Sequence, residues 1–354
     1  MRKPVSFLAL LVSNLAVGGS VPGHSPGFLN TTPSTAIDGL PVFYDKSDIE
    51  LVEANHAFDS FWAANYVHTT DNRNFLVSLN AIVINGSATQ RAGILSLDAP
   101  LAFFKANYGS VGHVKGSNGT LDPFNLTMPG GKFGLEIVPR NVTGGGRFPH
   151  MRIFNNLPET EFDIDLEMRG PTLLNAGLGS WFWVDDIQNQ VSLPAARPHG
   201  TLVVNHTTLV IDPLRSTTWY DRQWGPTMPD TFCWFGLYLT DSDNVKSYMS
   251  IWHWKDPIEG DKSFATVQNN PGATTVFPLA NFLSSTNEVY HSAVTGSAYP
   301  LMHNVTLPDG SYLVIKSVRP DQEYVMNNST SAFYSGYVEV SGDFTGHGVV
   351  DIML

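Results

Sequence analysis

Between Glu159 and Met168 the chain alternates with a period of two. Glu159, Glu161, Asp163, Asp165 and Glu167 fall on one side, and Phe162, Ile164, Leu166 and Met168 on the other. Successive side chains of an extended strand point to opposite faces, whereas a helix would spread these acids around its circumference, so the pattern predicts a half-buried strand. Short β-branched or aromatic runs recur at 75–84, 201–205, 208–211, 232–239, 248–254, 312–318 and 336–340, separated by Gly, Pro, Asn and Asp. Convincing helical periodicity is scarce, and the chain reads as all-β. Five acids on one face could hold a cation, but such a ladder is more often the solvated side of a strand, with cross-strand Lys or Arg offsetting the repulsion.

The aromatic runs follow the same period. Tyr248, Ser250, Trp252 and Trp254 share one face, with Met249, Ile251 and His253 on the other; Phe232, Trp234, Gly236 and Tyr238 alternate with Cys233, Phe235, Leu237 and Leu239. Both faces are apolar or aromatic, so each strand must be covered twice, by its own core on one side and by a ligand cavity or second domain on the other.

Met1-Arg2-Lys3, the apolar run from Val5 to Val17 and the small residues Gly18-Gly19-Ser20 read as a secretory signal peptide over residues 1–20. No later stretch has the roughly 20 apolar residues of a membrane helix. Nine Asn-x-Ser/Thr sequons, at Asn30, Asn85, Asn118, Asn125, Asn141, Asn205, Asn304, Asn327 and Asn328, predict N-linked glycans and exposure of those positions, in a secreted or vesicle-lumenal protein. The single cysteine, Cys233, makes an intrachain disulfide impossible and reads as a buried, inert thiol. The net charge of -12, with Lys and Arg scattered, argues against nucleic acid or anionic membranes as partners.

Metal-protease, nucleophile-elbow, paired-cysteine and dinucleotide-binding motifs are all missing, and the glycine clusters lack a phosphate-cradle context. The dispersed histidines leave no local two-His metal motif, an exclusion that does not extend to carboxylates that folding brings together. Seven of the eight tryptophans lie between Trp181 and Trp254, around the segment Trp219-Tyr220-Asp221-Arg222-Gln223-Trp224-Gly225. An aromatic cavity with a few polar groups suits a hydrophobic small molecule whose carbonyl or hydroxyl needs one or two directed hydrogen bonds. Trp181, Trp183, Trp219, Trp224, Trp234, Trp252, Trp254 and Tyr238 are the expected walls. Arg222 or Tyr220 could donate to a developing oxyanion, and Asp221 or His253 could move a proton. The competing role for Asp221-Arg222 is a buried salt bridge pinning a turn. In an extended strand Trp219, Asp221 and Gln223 face one way and Tyr220, Arg222 and Trp224 the other; one set is expected at a domain interface and the other at substrate.

Three patches resemble a known family. They are Phe162-Asp163-Ile164-Asp165-Leu166 with Arg169 to Leu174, then Gly200-Thr201-Leu202 leading into the Trp219 to Gly225 segment, then Gly336 to Gly342 with Gly346 to Asp351. The family is that of the hydroxyneurosporene synthase-like hydratases, with kievitone hydratase and the lipocalin-like Diels-Alderases. The resemblance implies two lipocalin-like β-barrel or sandwich domains packed side by side, with substrate near their interface and no cofactor. Asp212-Pro213 is the best compositional break, giving an N-terminal domain over 21–212 and a C-terminal one over 213–354. By resemblance the chain is expected to be a secreted fungal enzyme of secondary metabolism. The expected activity is that of a hetero-Diels-Alderase joining a tropolone-type ortho-quinone methide to a terpene alkene. A hydratase acting on a prenyl group, or a non-catalytic lipid or terpene binder, are the alternatives.

Overall fold

The computed structural model describes residues 56–354 except 86, 100, 114–123, 126–132, 139–149, 159, 168–171, 270–273 and 326–331. The expected signal peptide and the sequons at Asn30, Asn118, Asn141, Asn327 and Asn328 lie outside the described residues, as do Glu159 and Met168. Asn125 falls in the short strand Phe124–Asn125, and Asn85, Asn205 and Asn304 are exposed, as glycan acceptors must be.

Among the described residues the chain is nearly all-β: two large curled antiparallel sheets and a small hairpin, with one 3-10 turn at Asn175–Gly177. The larger sheet is built from strands between Phe58 and Gly225, the smaller from strands between Phe232 and Met353. No helix among the described residues is long and apolar enough to cross a membrane. The chain passes from one sheet to the other between Gly225 and Phe232. The break at Asp212-Pro213 is therefore a turn inside the larger sheet: Asp212 Oδ1 accepts from the Leu214 N–H, and the chain turns back into the strand Thr217–Gly225. As a division between sheets, the boundary falls after Gly225 rather than after Asp212.

Each sheet keeps its own core, and the two share a third. Phe61, Ala63 and Val67 from the strand Phe58–His68 enter the first core, while Phe58, Trp62, Ala64 and Tyr66 enter the shared one. In the strand Phe232–Thr240, Cys233, Phe235, Leu237 and Leu239 belong to the second core, and Phe232 and Trp234 to the shared one. The double covering expected of the aromatic strands is thus a division of labour: one face folds the sheet, the other joins it to its neighbour. Hydrogen bonds cross the same boundary, from Tyr238 Oη to the Pro194 carbonyl (2.8 Å), from Trp252 Nε1 to Gln190 Oε1 (2.7 Å), and between Ser78 Oγ and Tyr324 Oη (3.1 Å). Pro194 is free to offer its carbonyl because the strand Asp186–Val204 shifts register between Leu193 and Ala196, where a residue without an N–H costs no ladder bond.

The acid ladder is answered by cations. Arg152, on the adjacent strand His150–Asn155, places Nε and Nη2 on Asp163 at 2.7 Å each and Nη1 on Glu136 at 3.2 Å. One glycine of the resembling patches is demanded by backbone: Gly200 has φ of +135°, and a Cβ there would lie 2.0 Å from the Asp163 carbonyl oxygen.

Candidate active site

Antiparallel pairing brings residues far apart in sequence into straight rows across a sheet. In the larger sheet one row runs Arg91, Asn80, Trp62, Asp221, Ser192 over five strands. In the smaller sheet another runs Trp252, Trp234, Asp351, Ser335 over four. The rows meet across the interface, where Trp62 stands edge-on to Trp234 at 5.1 Å and Arg91 reaches Asp351. Asn80, Trp62 and Asp221 from one row and Trp234, Trp252 and Asp351 from the other border a cavity of about 30 Å³. That volume holds roughly one water molecule or one hydroxyl group.

Asp221 is 4% exposed. Its Oδ1 accepts the Ser192 hydroxyl and, at 3.0 Å, the Trp219 indole N–H, while Oδ2 has no hydrogen-bond partner. Burial drives its pKa up to about 7, outweighing the hydrogen bonds that favour the anion, and the charge of Asp351 pushes the same way. Asp351 is also raised by burial, but here a cation opposes the rise: Arg91 Nη2 lies 2.9 Å from each carboxylate oxygen. The Arg91 guanidinium is itself held over the Phe333 ring, 4.1 Å from its centre. Two carboxyls in one cavity cannot ionise independently. The Arg91 cation favours the anion at Asp351 while nothing comparable does at Asp221, so Asp351 is the better placed base and Asp221 the better placed acid.

Asn80 Oδ1 and Gln223 Nε2, on residues lining the same cavity, are buried without partners. With Asp221 Oδ2 they offer unsatisfied donors and acceptors around a water-sized space, which is what a group that both donates and accepts, a hydroxyl or water, requires.

The structure sorts the residues expected from sequence. Asp221, Trp234 and Trp252 border the cavity, and Trp219 stands behind Asp221 as its hydrogen-bond donor. Interface and cavity are served by one set, Trp219, Asp221 and Gln223. The opposite set folds the larger sheet: Tyr220 lies in its core, Arg222 pairs with Asp59, and Trp224 packs on Val191. Arg222 and Tyr220 are therefore not placed to meet a developing oxyanion in this cavity. His253 is on the second-core side of its strand, its ring stacked on Phe282 at 4.1 Å, with burial lowering its pKa; it faces away from Trp252 and from Asp221. Trp181 and Trp183 pack on Trp252 in the shared core, and Trp254 stacks on Trp183 at 4.8 Å. Tyr238 lies in the same core against Trp219. Sequence alone gives no site role to Trp62, Asn80, Arg91 or Asp351, although Asp351 closes the third resembling patch. Trp62 is the one tryptophan outside the aromatic third, and only strand register reveals that it neighbours Asp221. No cluster of three or more His, Cys, Asp or Glu placed to hold a metal ion occurs among the described residues.

The solved structure of kievitone hydratase from Nectria haematococca superposes with a TM-score of 0.76, at 24% identity over 92% of this chain and 97% of that one, and shows the same fold. In sequence, the dehydratase asqC of Emericella nidulans is 28% identical over 335 residues, 89% of this chain and 90% of its own length. Kievitone hydratase of Fusarium solani subsp. phaseoli is 24% identical over 325 residues, 89% and 87% of the two lengths. Both curated relatives are enzymes that remove or add water, in keeping with the expectation of an enzyme. Residues 143–353, more than half of the chain, match the model of the AttH-like family, and the chain belongs to that family.

Proposed function

We propose that this protein is a cofactor-independent hydro-lyase that removes water from, or adds it to, a hydrophobic small molecule at the interface of its two sheets. The observation that carries the reading is the pairing of Asp221, a buried carboxyl with a pKa of about 7, with the Arg91-bound Asp351 around a space the size of one water molecule. In dehydration Asp221 gives its proton to the substrate hydroxyl as the C–O bond breaks, and the Asp351 carboxylate takes the proton lost from the neighbouring carbon or hydroxyl. In hydration the same acid protonates the alkene carbon, water adds to the cationic carbon, and Asp351 receives the proton that water releases. The faces of Trp62, Trp234 and Trp252 favour positive charge developing between them, and they exclude all but the water that reacts.

The cycloaddition reading draws on the same chemistry. Loss of water from a hydroxymethyl-tropolone-type precursor gives the ortho-quinone methide that would add across a terpene alkene, so Asp221 serves its first step. Heavy-oxygen water separates the readings. A hydratase installs one labelled hydroxyl, a dehydratase releases unlabelled product whose back-reaction takes up label, and a cycloadduct carries none. Turnover of hydroxylated or prenylated aromatic substrates that survives Asp221→Asn would overturn the assignment.

A further inference from the structure

The shared-core face of the strand Phe58–His68 runs on beyond the Asp221 cavity. Tyr66 lies four residues past Trp62, about 13 Å along an extended chain. It borders a separate groove of about 360 Å³. Small-molecule sites span roughly 300–1,000 Å³. Trp219 and Tyr238 stand between the two spaces, edge-on to each other at 5.7 Å, with Tyr238 edge-on to Tyr66 at 5.0 Å.

The groove is built of rings. Tyr337 and His347 lie nearly parallel, 5.8 Å apart at 11°, and Tyr66 stands edge-on to both, at 5.9 and 4.8 Å. Burial pushes the His347 pKa down to about 4, so this wall is uncharged at neutral pH. Two polar atoms in it lack partners. The hydroxyl of Tyr66, a residue 8% exposed, has none, and burial holds its pKa above the ordinary phenol value, so it keeps its proton to donate. His68 Nε2 has none either. Its role follows from its neighbours: Asn74 Nδ2 donates to the Asp98 carboxylate at 3.0 Å, which turns Asn74 Oδ1 toward His68 Nδ1 at 2.5 Å. A carboxylate and an amide oxygen only accept, so Nδ1 carries the proton, and in that tautomer Nε2 is an acceptor. Arg215, exposed, adds a cation to the lining.

We propose that this groove is a second binding site, separate from the Asp221 cavity, for a planar hydroxylated aromatic ketone or a similar phenol. The ring lies among Tyr66, Tyr337 and His347, its hydroxyl donates to His68 Nε2, and a ligand oxygen accepts from Tyr66. The assignment does not rest on the reaction proposed for Asp221.

Titration of the full chain with 4-hydroxyacetophenone and with 4-methoxyacetophenone, followed by ligand-observed magnetic resonance, tests it. The hydroxy probe binds more tightly than its methyl ether. Tyr66→Phe, which keeps the ring and removes only the hydroxyl, weakens it about fivefold, as loss of one hydrogen bond does. Asp221→Asn leaves the affinity unchanged. Equal affinity of the two probes, a Tyr66→Phe variant that binds like the parent, no binding up to millimolar probe, or loss of binding in Asp221→Asn, which would put the probe in the other cavity, each overturns the proposal.

Discussion

Arg222 pairs with Asp59 on the neighbouring strand and not with Asp221, the residue beside it in the chain. Consecutive strand residues point to opposite faces, so Asp221 and Arg222 cannot share one environment. Arg222 is 1% exposed, its guanidinium lies 4.3 Å from the centre of the Phe61 ring, and Asp59 also accepts from the His56 backbone N–H at 3.1 Å. This is a pair that fixes the larger sheet.

Arg222→Met should therefore cost about 3–5 kcal/mol of stability, because the buried Asp59 loses its guanidinium partner and keeps only its contacts to His56. The double variant Asp59→Asn, Arg222→Met should recover part of that loss. Denaturant unfolding of the three proteins measures it, and equal stability of parent and single variant would show that the pair does not matter.

Asp221→Asn should reduce turnover by about 10²-fold or more, since a positioned general acid is worth 10² to 10⁴. In the parent the rate should fall as pH rises through about 7, where Asp221 loses its proton. A pH–rate profile with no limb near neutrality would remove Asp221 from the proton transfer.

Stability carries the same signature. The unfolded carboxyl titrates near the ordinary 3.8 and the folded one near 7. Below pH 4 both states hold the proton. From pH 4 to 7 only the folded state does, and the stability this group contributes is lost as pH rises through that window, reaching a deficit of about 4 kcal/mol at about 1.4 kcal/mol per pH unit. The stability of Asp221→Asn relative to the parent should improve from pH 4 to pH 8; thermal melts at both pH values check the sign.

Arg91→Gln removes the cation that opposes burial at Asp351. Asp351 should then take up a proton at higher pH, so the acid limb of the pH–rate profile should move up, and the window in which Asp351 is ionised while Asp221 keeps its proton should narrow. Turnover at neutral pH should drop by about tenfold or more. A uniform loss at every pH would point instead to a broken interface.

Gly236→Ala should cost about 1–3 kcal/mol, as overpacking does. A Cβ there would lie 2.8 Å from both the Trp219 and Trp234 rings. Because Trp219 holds Asp221 and Trp234 borders the cavity, activity should fall beyond what the melt accounts for.

Much of this molecule was legible in its residues. The period of two across 159–168 and in the aromatic strands gave the fold class, the double covering of those strands foretold a shared core, and the segment from Trp219 to Gly225 marked the strand that carries Asp221. The partners were not legible. Trp62 and Asp221 are 159 positions apart and Arg91 and Asp351 are 260 apart, and each pair is made by strand register or by contact between sheets. Local alternation determines which side chains share a face, because it is set by backbone geometry within a few residues. Which face meets the partner sheet, and so whether Asp221 or Arg222 enters the cavity, was decided only by tertiary packing. The larger sheet buries Tyr220 and Arg222 in itself and supplies the donors to Asp221, Ser192 and Trp219, but Trp219 meets the Trp234 ring and Asp221 the Asp351 charge only where the second sheet closes against it.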